Sequence, residues 1–514
     1  MKKISPFWFV FISLLGLLLY LPSVSAPFQF DDYLTIVLNP VIQNIQRIDH
    51  IWLYDPSRFL THLTFAINFN ASQYDTMGYH VINVIIHCVN AVLFLCFLQM
   101  FRLKMSICHQ ASIFSVLIFL THPIQTSAVS YIAQRATLLT TMFYMLAILF
   151  FFMYRRQRCI KMYVLSLLVT ILGIFCKPIM ITVPFAIGLI DFYFGEGKRY
   201  RWREYIPHLL IVLMIPVLLA FWRYKSVTLG TVLSMTKEAD VLTHSQYLFT
   251  QFHVLWKYIR LVLLPINQTL DYDVPIYVTF FNTKTVIAFL GLLAIFIYAV
   301  LMVRKKKLVS FCIMWCFLTL ALESSIFPIK DVMFEHRLYL PMIGFSLLLG
   351  HAPGYLLRVK PASKYVFILL LCVLCVLTVK RNLLWADRIA FLEDNARQSP
   401  YKLRVLNSLA IAYVEAGRHN DAVKQMLKII KLNPNDTQAL NNLANTYRLM
   451  EFYDEAITYY SKGLAIQSNN ASAYYFRSQC YFGLGRMKEA KADLRRAQEL
   501  RFPYIDEKYV EKLE

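Results

Sequence analysis

Charge is scarce in this chain of 514 residues: Asp, Glu, Lys and Arg together make up 16%, against 58% apolar residues and a mean hydropathy of +0.50. So little polar surface excludes a water-soluble globule and leaves an integral membrane protein. Acidic residues are the scarcer sign, 31 against 52 Lys and Arg, for a net charge of +21. The excess sits in short clusters between apolar runs, without the aromatic interleaving of a nucleic-acid module, so it reads as membrane topology and no nucleic-acid partner is expected. Missing too are G-x-x-x-x-G-K-[ST], G-x-S-x-G and H-E-x-x-H, which leaves nucleotide-driven transport and the common hydrolases without support. The ten cysteines lie mostly within apolar runs. Cys372 and Cys375 form a C-x-x-C inside such a run with no second pair or His beside it, which points to packing rather than zinc or redox work.

The composition shifts along the chain. Apolar runs of membrane-spanning length alternate with basic clusters up to about residue 380, and beyond about 390 the sequence is polar and mixed in charge. The fold expected is all-α: a polytopic helix bundle over 1–380, a linker or degenerate repeat over 381–401, and about three tetratricopeptide repeats over 402–514. The spans fall near 7–25, 79–101, 110–122, 136–154, 162–176, 178–194, 205–222, 284–303, 308–322, 338–357 and 365–379, eleven in all. Six basic clusters follow every second span: Lys2/Lys3, Arg102/Lys104, Arg155–Lys161, Lys198–Arg203, Arg304–Lys307 and Arg358–Lys364. The positive-inside rule puts them in the cytoplasm and the tail outside. Residues 245–266 carry His253, Lys257 and Arg260 among aromatics and read as an amphipathic helix on the outer surface. Were they a twelfth span, the tail would be cytoplasmic, as Lys380 and Arg381 mildly favour. The first apolar run imitates a signal peptide, with SVSA at 23–26 as a cleavage site, but is expected to stay as an anchor because carboxylates follow it closely.

From Lys402 the sequence repeats every 34 residues, the period of the tetratricopeptide helix-turn-helix unit. Ala410, Ala444 and Ser478 share one position, Tyr413, Tyr447 and Tyr481 a second, and Ala422, Ala456 and Ala490 a third. Gly417 and Gly485 mark the turn between helices, where the middle repeat has Glu451. Small residues belong where helices cross closely, and the stacked superhelix presents a groove suited to a protein or peptide partner.

Ionisable groups collect at one side of the membrane body. Asp31 and Asp32, His80, His122, Arg135, Lys177 and the run from Glu323 through Glu335, His336 and Arg337 all thread to the outer face. At membrane depth each costs about 2.5–3.5 kcal/mol, so they persist where they act or are paired. The mixture suits group transfer at a membrane surface, with a carboxylate as general base, cations holding a phosphate, and histidines able to donate or accept hydrogen bonds. A phosphate-linked lipid fits such a site. Each group has a plainer use as well: the aspartates as caps or solvated residues, Asn83 and His87 as interhelical hydrogen bonders, Lys177 and Arg337 as interfacial anchors, and Asp271 and Asp273 as a solvated loop. No separate metal-ligand cluster stands out, although the aspartate pair could bind a divalent cation.

FQFDDY, VLNPVI, YHVINVIIH, THPIQTSAVSYIAQRATLL and FEHRLYLPMIGF, followed by repeats of 34 residues, together resemble the transmembrane and tetratricopeptide-repeat-containing proteins, which sit with the protein O-mannosyltransferases of the GT-C glycosyltransferase class. The resemblance implies a GT-C-like body that takes sugar from a polyprenyl-phosphate carrier and places it on a Ser or Thr hydroxyl on the non-cytoplasmic side, by an inverting route. It makes Asp31 and Asp32 the catalytic pair, Arg135, Lys177 and Arg337 the ligands of the carrier phosphate, and His80, His122, Glu335 and His336 their support. Which aspartate is the base stays open. Three repeats are a short array for the family, which puts long-peptide recognition by the groove in question. A bacterial inner membrane with periplasmic repeats is the expected location, or the endoplasmic reticulum if the source is eukaryotic. Two alternatives remain: an oligosaccharide- or glycolipid-directed transferase using a lipid-linked donor, and a non-catalytic membrane-anchored scaffold.

Overall fold

The computed structural model describes residues 5–195, 202–226, 242–329, 331–359 and 363–513. Lys2 and Lys3, most of the Lys198–Arg203 cluster and Lys360 lie outside the described residues. Among the described residues every regular element is helical. The chain divides into two compact units, Met1–Leu270 with Val274–Asp387, and Asp271–Asp273 with Arg388–Glu514.

In the first unit five helices are long and apolar enough to cross a bilayer: Pro6–Ser23, Thr76–Phe101, Ile132–Gln157, Thr283–Leu301 and Tyr365–Ala386. A sixth candidate is the pair His109–Thr121 and Pro123–Val129, bent by 46°. The bend has a local cause, since Pro123 has no N–H to give and His122 turns extended to cap the next turn, its Nδ1 accepting from Ile124 N at 3.2 Å. Shorter apolar helices occupy Ile160–Ile174, Pro178–Phe194, Ile206–Leu219, Lys307–Leu320 and Met342–His351. Polar side chains tie this bundle together: Asn90 Nδ2 donates to Leu138 O at 3.0 Å and Tyr339 Oη at 3.2 Å, His87 Nδ1 meets Tyr339 Oη at 2.6 Å, and Ser130 Oγ donates to Asn382 Oδ1 at 2.7 Å. In an apolar surrounding such bonds fix which helices touch.

The segment expected to be amphipathic forms the helix His244–Leu263, started by a capping box between Thr243 and Gln246. It is not among the helices apolar enough to span. Its buried face carries Tyr247, Thr250, Gln251, Val254, Tyr258 and Leu261, three or four residues apart. That face meets the segment before Arg337: Gln251 Nε2 donates to Val332 O at 2.9 Å and Tyr258 Oη to Phe334 O at 2.9 Å.

In the second unit the repeats are three helix pairs, Leu403–Glu415 with His419–Leu432, Thr437–Leu449 with Tyr453–Ile466, and Ala471–Gly483 with Met487–Glu499. Ala410, Ala444, Ser478, Ala422, Ala456 and Ala490 are all fully buried, as close helix crossing requires. The turn residues adopt left-handed backbone, with φ of 73° at Gly417 and Gly485 and 63° at Glu451. The helix Arg388–Gln398 precedes the array, and the preceding helix runs unbroken from Ser363 to Ala386, through the start of the stretch expected to be a linker. Asp271 corrects the reading of a solvated loop. It is 2% exposed, paired with Lys402 Nζ at 3.3 Å and Arg404 Nε at 2.9 Å within this unit. A buried carboxylate persists where cations compensate it.

Candidate active site

The first loop turns sharply at Phe30, whose φ of 44° is left-handed for a bulky residue. That turn gives the adjacent aspartates different surroundings. Asp32 is 1% exposed, and both its oxygens accept backbone N–H groups, Oδ2 from Gln29 at 2.9 Å and Oδ1 from Ala133 at 2.7 Å. Burial raises its pKa to about 8, against the pull of those two hydrogen bonds. A carboxyl that prefers its proton when folded makes folding less favourable as pH rises from about 4 towards 8. Asp32 thus anchors the loop to the start of the helix Arg135–Gln157. Asp31 is half-buried. Its N–H donates to Tyr131 Oη at 2.9 Å, and the Tyr131 phenol is hydrogen-bonded to the Asp31 side chain.

A second cluster holds the other expected residues. Lys177 Nζ pairs with Glu323 Oε1 at 2.7 Å and reaches Thr137 Oγ1 at 3.4 Å. Arg337 donates to Val332 O at 3.0 Å, Glu323 O at 3.3 Å and Tyr247 Oη at 3.4 Å. Exposed Arg58 acts electrostatically on Lys177, Glu323 and His336. Three basic side chains, Lys177, Arg337 and Arg58, therefore act on one carboxylate. Burial, reinforced by Arg58 and Arg337 against the pull of Glu323, lowers the Lys177 pKa. Burial with Lys177 and Arg337 holds His336 well below the usual histidine range. Burial opposes the charge of Glu323 too, but Lys177 and Arg337 outweigh it and lower its pKa. The two ends of the Lys177–Glu323 pair shift the same way because burial dominates at Lys177, while the neighbouring cations dominate at Glu323. His336 Nδ1 is buried with no hydrogen-bond partner. Such a surplus is what an anion relieves.

The two clusters meet at one helix start. Asp32 grips Ala133 and Lys177 touches Thr137, four residues on, and the helical rise sets these points roughly 6–8 Å apart. Beside the cations, a hollow of about 260 Å³ is lined by Asp55, Ser57, Ile174, Pro178, Ile181 and Leu219, with Ser57 next to Arg58 and Pro178 next to Lys177.

Other expected site residues are committed elsewhere. Arg135 is fully buried, its Nε donating to Asn83 Oδ1 at 2.8 Å, Nη1 to Thr64 O at 3.2 Å and Nη2 to Tyr79 O at 3.0 Å, with the Phe65 ring 4.6 Å away. As placed it is a packing cation, a correction to its reading as a phosphate ligand. His122 caps its bend and also meets Val262 O through Nε2 at 3.0 Å, while Glu335 accepts from Gln268 Nε2 and Thr269 N, both at 3.0 Å. His80 Nε2 meets Ala26 O at 2.9 Å and so pins the chain just before the aspartates. Arg58 lies in none of the motifs read from the sequence, and Glu323 opens the ionisable run that ends at Arg337 with nothing there to mark it as the partner of Lys177. Tyr131 lies within THPIQTSAVSYIAQRATLL, and only its burial beside Asp31 gives it a role. Among the described residues no group of three or more His, Cys, Asp or Glu is placed to hold a metal ion.

The family model described as tetratricopeptide repeat matches residues 403–436 and 436–501. The chain is also similar to curated proteins. It is 24% identical over 450 residues to Protein O-mannosyl-transferase F38B6.6 of Caenorhabditis elegans, covering 82% of this chain and 62% of that protein. It is 24% identical over 449 residues to Protein O-mannosyl-transferase TMTC3 of Mus musculus, covering 78% of this chain and 47% of that protein, and 24% identical over 454 residues to its counterpart in Homo sapiens, with the same coverage. The chain spans about half to three fifths of the length of these relatives. Among solved structures, MamA from Desulfovibrio magneticus RS-1 aligns at 23% identity over 22% of this chain and 64% of that one, with a TM-score of 0.21. The similarity to proteins named as protein O-mannosyl-transferases thus runs along most of the chain.

Proposed function

We propose that this protein is a GT-C type membrane glycosyltransferase. It moves a sugar, mannose by analogy with its relatives, from a polyprenyl-phosphate carrier to a Ser or Thr hydroxyl of a protein on the non-cytoplasmic face. The observation that carries the reading is the single helix start at which buried Asp32 anchors the loop bearing the partly accessible Asp31, and which Lys177 of the cation cluster also touches. In a bacterial cell that face, and the repeats with it, would be periplasmic.

Asp31 is the base in this reading, because Asp32 is buried with both oxygens taken. The acceptor oxygen attacks the anomeric carbon, Asp31 takes the hydroxyl proton, and the bond from that carbon to the phosphate oxygen breaks in the same displacement, which inverts configuration. The leaving phosphate keeps the bonding pair. Lys177 and Arg337, with Arg58 at the rim, stabilise its charge as it develops. The carrier's apolar chain lies along Ile174, Pro178, Ile181 and Leu219. Tyr131 and Asp32 act by position, holding Asp31 and the loop.

The test is transfer from polyprenyl-phosphomannose to acceptor protein in membranes with matched levels of each variant. Asp31→Asn is expected to lose about 10²–10⁴-fold in rate, as removal of a general base does, and Asp32→Asn to lose less. Wild-type transfer by Asp31→Asn would sink the assignment of the base. Unchanged glycosylation in a deletion strain would leave a membrane-anchored repeat scaffold, and the size of the sugar on product separates single transfer from transfer of an oligosaccharide.

A further inference from the structure

Far from the aspartates in sequence, two short loops border an open hollow of about 850 Å³. Lys104 and Ser106 line it from one loop, the run Arg304–Lys307 from the other, and His351 completes the wall. Among the described residues none that lines it is acidic. The run Arg304–Lys307 is exposed, so its charges are within reach of a ligand. The helix Lys307–Leu320 begins here, and no side chain caps its N-terminus. Leu308 and Val309 of its first turn line the hollow, so backbone N–H groups and the helix dipole add to the positive field. Both loops also leave apolar helices of spanning length, which end at Phe101 and Leu301. The hollow therefore lies at the level of lipid headgroups, with Met105, Leu308 and Val309 giving it an apolar floor. The positive-inside rule accounts for basic residues near span ends, but does not require chain-distant loops to converge on one concavity.

We propose that this hollow is a binding site for the headgroup of an anionic phospholipid, one carrying two phosphates. Five Lys and Arg side chains with no carboxylate match a doubly charged head, and the adjoining apolar floor matches the start of its acyl chains. The site is separate from the proposed transfer chemistry and stands whether or not that reading holds.

The experiment uses the full chain in nanodiscs of phosphatidylcholine containing cardiolipin, with retained lipid counted by native mass spectrometry after release. The wild type is expected to keep cardiolipin in preference to phosphatidylcholine. Replacing Lys305, Lys306 and Lys307 with Gln should weaken retention on the order of a hundredfold, since each cation near an anionic surface contributes about fivefold. Val309→Trp keeps every charge and crowds the apolar part of the hollow, and should lower retention as well. Three outcomes would overturn the proposal: retention by the wild type no better than for phosphatidylcholine, retention unchanged by Val309→Trp, or inorganic pyrophosphate raising the melting temperature as much as cardiolipin does.

Discussion

In the repeat unit the half-buried guanidinium of Arg477 grips Asp493 with two hydrogen bonds of 2.6 and 2.8 Å across a separation of 16 residues. In the membrane unit Asp32 closes on Ala133 across 101 residues, and Lys177 finds Glu323 from a different helix pair altogether. The first contact closes within a single helical hairpin, Ala471–Gly483 with Met487–Glu499, so its partners are set by local geometry, and the matching positions of the other repeats hold Leu443 with Tyr459 and Leu409 with Gln425. The second kind exists only once the whole bundle has assembled. Burial of charge is managed in both units, but locally in one and globally in the other, and sensitivity to substitution should differ accordingly.

The comparison is broken most strongly at Lys177. Lys177→Met removes the one cation hydrogen-bonded to Glu323, leaving Arg337 and Arg58 to compensate it in part, and is expected to destabilise the membrane unit by about 2–3 kcal/mol, seen as a lower melting temperature in detergent. Adding Glu323→Leu should restore most of that stability without restoring transfer. Recovery of both would show the pair to be purely structural. In the repeat unit the corresponding strain comes from packing. Ala444→Leu forces a larger side chain into a fully buried crossing and should cost about 1–3 kcal/mol, read by limited proteolysis of the repeats in urea, with transfer activity intact below the transition. The smallest effect sharpens the rule of the period. Glu451 holds φ of 63° where the other repeats have glycine, so Glu451→Gly should stabilise the repeats by about 0.5–1 kcal/mol in the same assay. A loss of stability there would mean the Glu451 side chain contributes more than its backbone strain costs.

The amino-acid sequence by itself determined the division between an apolar body and a repeat-bearing tail, and the helical period of that tail down to Ala410, Ala444 and Ser478. It also made the segment 245–266 amphipathic. These are local properties, fixed by composition and spacing within one or two helices. It brought Asp31, Asp32, Lys177 and Arg337 into view because ionisable groups beside apolar runs stand out. Only the tertiary structure separated the neighbouring aspartates, enclosing Asp32 and leaving Asp31 partly open, and only it committed Arg135 to Asn83 and two carbonyls, set Arg58 beside Lys177 and buried Asp271 between Lys402 and Arg404. The reason is physical: whether a charge is solvated, paired or left available depends on its neighbours in space, and those neighbours come from distant parts of the chain.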